Sequence, residues 1–279
     1  MMSPMPSPAP PIVTSSANPR VKAAAALRER RERDRTGLTL VDGARELRRA
    51  LDAGVTVVEV FTCEPLLAGP DARVVLDRLR SAGTVVQSTS EGVFAKLAFG
   101  QRAEGLVAVA RIPSTTLDDL VLPERPLVVV VEAVEKPGNL GAVLRSADGA
   151  AADAVVAASP RTDLFNPNTI RASAGTIFSL ALAEASTDDT SAWLAKRGLR
   201  VVAARVDAER SYADADLTGP LALVVGAEAE GLSGSWRGPG IDAVRIPMRG
   251  IGDSLNLSVS AAILLYEARR QRGSPDPRP

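Results

Sequence analysis

The chain has 279 residues, and its 33 Lys plus Arg are balanced by 33 Asp plus Glu, so net charge makes no case for a nucleic-acid partner. It contains no histidine and a single cysteine, Cys63. Ser-His-Asp triads, Cys-His dyads, histidine bases, His-containing or Cys-rich metal sites and intrachain disulfides are therefore excluded, leaving Arg, Asp, Glu, Ser, Asn and backbone groups to carry any chemistry.

Residues 1–14 are rich in Pro and Ser and lack a hydrophobic core, so they are expected to form a disordered tail rather than a secretory signal or anchor. Residues 20–35 hold seven basic and three acidic side chains and read as one helix. Such a helix can follow a phosphate backbone, or it can be a solvated face laced by i,i+4 ion pairs. Short strands are expected at 38–41, 55–62, 84–87 and 106–110, with helices at 43–53 and 71–82. Cys63 ends the second strand and reads as a small buried hydrophobe. These elements make a compact α/β unit over 15–111, and Pro113, Pro123 and Pro126 mark 112–126 as a linker.

Beyond the linker, LVVVVEA (127–133) is a continuous apolar run, the pattern of a strand buried on both faces of a parallel sheet. Similar runs occupy 154–158, 199–205, 221–226 and 243–246, with helices expected over 140–151, 168–178 and 190–197. A parallel α/β domain over 127–272 follows, with ligands at the carboxyl ends of its strands. The last helix, 258–272, carries Val259, Ala262, Ile263 and Tyr266 on one stripe, either core or interface. Residues 273–279 read as a second disordered tail. No apolar run approaches the ~20 residues of a membrane span, so a cytoplasmic protein with no membrane partner is expected.

Three loops follow strands of this second domain. In EKPGNLGAVLR (135–145), Pro137 and Gly138 turn the chain, Asn139 is placed to cap a helix, and Gly141 admits close packing. Arg145 lies six residues after Asn139, about 120° away around the helix axis. Taken singly, the two read as an ordinary cap and a surface arginine. GAEAEG (226–231) holds Glu228 between glycines, but it has neither the phosphate-loop ending nor a dinucleotide pattern. IPMRGIGDSLNLS (246–258) sets Ser254 and Asn256 at the start of the last helix, where a cap belongs.

Together these loops resemble the signature motifs of the SpoU (TrmH-type) RNA ribose 2′-O-methyltransferases of the SPOUT class. The matching stretches are 135–145, 226–231, IPM (246–248) with SLNLS (254–258), and NPNTIRAS (166–173) between the first two. NPRVK (18–22) and LVDGAREL (40–47) resemble the family's ribosomal-protein-like substrate-binding domain. The resemblance spans roughly residues 15–271 and implies a trefoil knot in the C-terminal domain, a topology otherwise rare. It also implies S-adenosylmethionine held by backbone around Gly226, Ile246 and Leu255, fitting a chain with only nine aromatic residues.

The implied reaction is attack of a ribose 2′-hydroxyl on the donor methyl, without a metal. Asn139, Arg145, Glu228, Ser254 and Asn256 are its implied catalytic set. An arginine is a poor free base, so Arg145 is expected to hold a phosphate and steady the alkoxide. Glu228 would orient an arginine or a ribose, and Ser254 and Asn256 would fix donor and loop. Arg171, Arg20 and Lys22 are the implied RNA contacts. A homodimer through the final helix is implied too. Ribosomal RNA is the expected substrate, ahead of transfer RNA. An inactive RNA-binding protein of the same fold is the rival reading, disfavoured because every polar motif residue is present.

Overall fold

The computed structural model describes residues 11–67, 69–99, 104–227 and 231–273. It divides into two compact units between Ile112 and Pro113. No helix among the described residues is long and apolar enough to cross a membrane.

The first unit is built on four strands: β1 (Leu38–Asp42), β2 (Val57–Thr62), β3 (Val85–Ser88) and β4 (Leu106–Arg111). They order as β1-β4-β2-β3, with β4 antiparallel to both neighbours and β2 parallel to β3. The helices are α1 (Pro19–Ala26), α2 (Arg30–Thr36), α3 (Ala44–Asp52), α4 (Gly69–Ser81) and α5 (Glu91–Leu97). Val21, Leu27, Leu40, Phe61, Cys63, Phe94, Leu97 and Val107 share one core cluster. Val13 is tied to the end of β3 by hydrogen bonds with Ser88 O (2.7 Å) and Ser90 N (3.0 Å). Ordered chain thus reaches into the segment expected as the tail 1–14.

The helix expected over 20–35 is two helices, and Arg33 supplies the reason. Its side chain is only 2% exposed, and its Nη1 donates to the carbonyls of Leu27 and Arg28, both at 2.7 Å. Those carbonyls lie just past the end of the first helix, so the arginine caps a break that charge spacing could not reveal. Hydrogen bonds from a charged donor contribute about 1.5–3 kcal/mol each. Elsewhere in this run, Arg35 pairs with Glu32 at 2.7 Å and Arg28 lies over the Phe99 ring.

The second unit has one parallel six-stranded sheet, ordered β10-β8-β9-β5-β6-β7. Its strands are β5 (Leu127–Glu132), β6 (Ala154–Ala158), β7 (Leu182–Ala185), β8 (Arg200–Ala204), β9 (Leu221–Val225) and β10 (Ile241–Val244). Its helices are α6 (Pro137–Gly149), α7 (Pro167–Ala172), α8 (Thr187–Lys196) and α9 (Leu257–Arg272). Strands β5, β6 and β9 are buried along their full length, as continuous apolar runs require. Val128, Val130, Val156, Val224, Leu194 and the fully buried Trp236 form the core cluster on one face. Helices α6 and α9 pack against each other, α6 also touching β6 and α9 touching β9.

The expected linker 112–126 packs on this second unit from Thr115 onward. Thr115 O accepts from Glu184 N at 2.8 Å, and Leu120 is buried in the core cluster with Leu117 and Leu122 beside it. The prolines marked a break in pattern, but the leucines between them carry enough apolar surface to seat the segment. The helix expected over 168–178 stops at Ala172; Ala174 and Gly175 take left-handed conformations before a 3-10 turn at Thr176–Phe178. At the other end of the unit, Arg272 donates to the carbonyls of Leu217, Gly219, Arg125 and Pro126, latching the last turn of α9.

Candidate active site

The chain runs outward from β5 to β7, crosses to β8, and returns beside β5 as β9. The strand order therefore reverses between β5 and β9, the kind of switch point beside which open parallel sheets hold ligands. A cavity of about 420 Å³ opens there, at the carboxyl ends of β8 and β9. Its floor includes Ala204, Val225 and Gly226, and its walls include Gly231, Leu232, Ile246, Met248, Ser254 and Leu255. All three residues expected at the cofactor, Gly226, Ile246 and Leu255, line it, as does Ser254.

Gly226 is required by a close backbone approach. A Cβ there would lie 2.4 Å from Gly231 C and 2.6 Å from Leu232 N, so any side chain would push the wall away. Ala227 and Gly231 close the turn through a 2.9 Å hydrogen bond, with Gly231 at φ 66°. Glu228, the acid expected within that turn, lies outside the described residues. Gly141 has the same need on α6, where a Cβ would stand 2.5 Å from Ala172 Cβ of α7.

Asn256 is the N-cap of α9. Its Oδ1 accepts from Ser258 N at 2.8 Å and Ser258 Oγ at 2.6 Å, which turns its Nδ2 toward Asn139 Oδ1, 3.2 Å away. The two asparagines, 117 residues apart in sequence, thus join the first loop to the third. Asn139 is not a cap: Lys136 is the N-cap of α6 and Asn139 stands in the first turn, freeing its side chain to meet Asn256. Pro137 sets that start, because proline is tolerated where no donor is needed.

Arg145 is not brought to the cavity. Two turns along α6 from Asn139, it is exposed and has no hydrogen-bond or ion-pair partner among the described residues. Arg171 sits partly buried on α7, which packs against α6. In the first unit Arg20 pairs with Glu59 at 3.4 Å, and Lys22 is exposed on α1. Burial raises the Glu59 carboxyl pKa, and Arg20 opposes that rise.

Sequence reasoning missed three charged groups on the cavity rim. Arg205 holds Asp207 through two hydrogen bonds, 2.9 and 2.7 Å, and Arg237 adds a third at 3.0 Å. The bonds from Arg205, then Arg237, hold the Asp207 carboxyl down to about 2. The position of Arg205 and Asp207 just past β8 was the available signal, since ligands gather at strand ends.

The stripe on α9 is not core. Val259 is 45% and Tyr266 54% exposed, with Ala262 and Ile263 partly exposed between them. The face turned inward is Leu257, Ala261, Leu264, Leu265 and Ala268.

Residues 126–266 match the SpoU rRNA Methylase family, and residues 18–108 match the MRM3-like substrate binding domain. A 23S rRNA (uridine(2479)-2′-O)-methyltransferase of Streptomyces viridochromogenes is 32% identical over 257 residues, 89% of this chain and 88% of that protein. A solved RNA 2′-O ribose methyltransferase is 44% identical with a TM-score of 0.83, covering 93% of this chain and 98% of its own. An AdoMet-bound rRNA methyltransferase from Sinorhizobium meliloti is 30% identical with a TM-score of 0.85, covering 95% and 99% respectively. With both matches laid over this fold and cavity, the chain belongs to the SpoU rRNA methylase family.

Proposed function

We propose that this protein transfers a methyl group from S-adenosylmethionine to a ribose 2′-hydroxyl of ribosomal RNA. The observation that carries the reading is the convergence of Gly226, Ile246, Ser254 and Leu255 on one cavity beside the switch in strand order. Its volume of about 420 Å³ lies in the range of small-molecule sites, and the side-chain-free approach at Gly226 leaves backbone groups open to the donor. Held there by Gly226, Ile246 and Leu255, S-adenosylmethionine would supply a sulfonium-activated methyl group to the ribose 2′-oxygen, leaving S-adenosylhomocysteine, with the hydroxyl proton passing to phosphate or water.

The chain's own residues then divide the work. Gly226, Ile246 and Leu255 hold the donor, and Ser254 orients it from the third loop. Asn256 and Asn139 keep that loop against the start of α6. Arg145 binds the phosphate beside the target ribose and steadies the developing alkoxide. Glu228 orients an arginine or ribose. Arg171 adds a phosphate contact, and Arg20 and Lys22 engage RNA from the first unit.

The same reading takes residues 245–256 as the threading segment of a trefoil knot, since the chain passes there from the edge strand β10 to α9 on β9. It takes the exposed stripe on α9 as a homodimer face. A ribosomal RNA substrate implies a cytoplasmic location.

The test is in two parts. Calorimetry should detect S-adenosylmethionine binding to the purified protein. Mapping of 2′-O-methylated nucleotides in ribosomal RNA, from cells with and without the protein, should show one site lost. Absence of binding, or an unchanged map with a transfer-RNA site lost instead, overturns the reading.

A further inference from the structure

The carboxylate at the end of the central strand β5 stands behind the cavity and has no part in the chemistry just described. Glu132 is 3% exposed. Its Oε2 accepts from Ser233 N at 2.8 Å, and its Oε1 accepts from Ser233 Oγ at 2.7 Å and Thr187 Oγ1 at 3.0 Å. Thr187, which opens α8, also donates its backbone N–H to Ser159 Oγ at 2.9 Å. One buried acid thereby connects the carboxyl ends of β5 and β6, the start of α8 and the loop that follows β9.

Ser233 is the consequential partner. It directly follows Gly231 and Leu232, which line the cavity, and directly precedes the 3-10 turn that buries Trp236 in the core. At its other end the same loop is fixed by the close approach at Gly226. The wall segment is therefore clamped on both sides, by backbone contact at one end and by Glu132 at the other. A buried carboxylate with three donors is costly to leave half satisfied, so the geometry is strongly preferred. Immediately after Glu132, Ala133 adopts φ 52° and turns the chain into the loop leading to Asn139.

We propose that Glu132 is a positioning residue for the donor pocket, acting through Ser233 to hold Gly231 and Leu232 as cavity wall. This rests on the reading of the cavity as the S-adenosylmethionine site. Glu132→Gln keeps the side chain's volume but replaces one accepting oxygen with a donor that faces Ser233. The KM for S-adenosylmethionine should rise about tenfold, the KM for RNA and kcat staying within about twofold, because the lost acceptor loosens the wall and not the chemistry. Ser233→Ala should raise the same KM by roughly threefold, and the double variant should be no worse than Glu132→Gln alone, since both remove one interaction.

Calorimetry on the wild-type protein comes first. If wild type does not bind S-adenosylmethionine, the cavity assignment itself fails. If it binds and Glu132→Gln, with a melting temperature near wild type, keeps the wild-type KM, the positioning role is wrong. An equal rise in both KM values also overturns it. Should Glu132→Gln fail to fold, Ser233→Ala decides alone, an unchanged donor KM sinking the proposal.

Discussion

Around the cavity, polar groups are held before any ligand arrives. Asn256 is fixed by Ser258 and Asn139, Asp207 by two arginines, and Ser233 by Glu132. Arg145, on α6, stands in solvent with no partner among the described residues. The contrast separates two ways of building a site. On the proposed reading, the donor side is organised during folding, so its entropy is already lost when the donor binds. The arginine would stay hydrated until a phosphate reaches it, which avoids burying a charge without its counter-ion.

The sharpest way to break this contrast is Arg145→Ala. Methyl transfer should fall about a thousandfold, as when a transition-state donor is deleted, while calorimetric affinity for S-adenosylmethionine stays within about twofold. Turnover near wild type removes Arg145 from the mechanism. A parallel loss of donor affinity would show that the two sides are not separate.

Gly226→Ala attacks the other side. The added Cβ would meet the Gly231 carbonyl carbon and oxygen at 2.4 Å, and both are backbone, so the wall must move. Donor affinity should drop about a hundredfold, with RNA binding by gel shift nearly unchanged, because the overlap costs on the order of 1–3 kcal/mol. Normal calorimetric affinity in this variant would mean that the wall is soft.

The same division explains what could be read from the chain. Strands β5, β6 and β9 were legible because burial on both faces leaves an unbroken apolar run. Strand β7 was not: it is a four-residue edge strand whose Glu184 and Ala185 are not buried. Helix α5, seven residues long, was too short to show a period. Asn256 was legible because it answers a local backbone demand, the cap of α9, whereas Asn139 was read as a cap and instead meets Asn256, 117 residues away. Glu132 was not legible, because its partners lie 55 and 101 residues away and nothing local marks an acid at a strand end. Arg33 failed for a related reason: spacing counts its charge but cannot see the carbonyls it caps. Local chemistry is written in the sequence, and long-range satisfaction of polar groups is not.

A smaller effect is expected at α9. Val259 and Tyr266 are exposed on a helix that packs against the one carrying Arg145, an apolar surface suited to a second copy of the chain. Tyr266→Glu would place a charge on the proposed homodimer face and should weaken self-association by roughly tenfold or more in sedimentation experiments. Activity should fall with it, the donor site being intact, and concentration should restore both. If Tyr266→Glu leaves the sedimentation of a dimer unchanged, the stripe is not the interface.

The smallest effect concerns pH. Asp207 is held at about 2, first by Arg205, whose hydrogen bonds favour the charged carboxylate. A folded-state value below the ordinary aspartate value of about 3.9 means that the linked stabilisation is complete above that value. It is lost only as pH falls through about 2. The rim should therefore stay fully charged between pH 7 and pH 5, and with no histidine in the chain no imidazole titrates there either. Calorimetric affinity for S-adenosylmethionine should change by less than about twofold across that interval. Replacing Asp207 with Asn removes a charge between Arg205 and Arg237 without removing the side chain, so any change in donor affinity it produces should be independent of pH over the same range. A steep loss of wild-type affinity between pH 7 and pH 5 would place the Asp207 carboxyl above the ordinary aspartate value instead of below it, and the donor side would then be less preformed than its hydrogen bonds indicate.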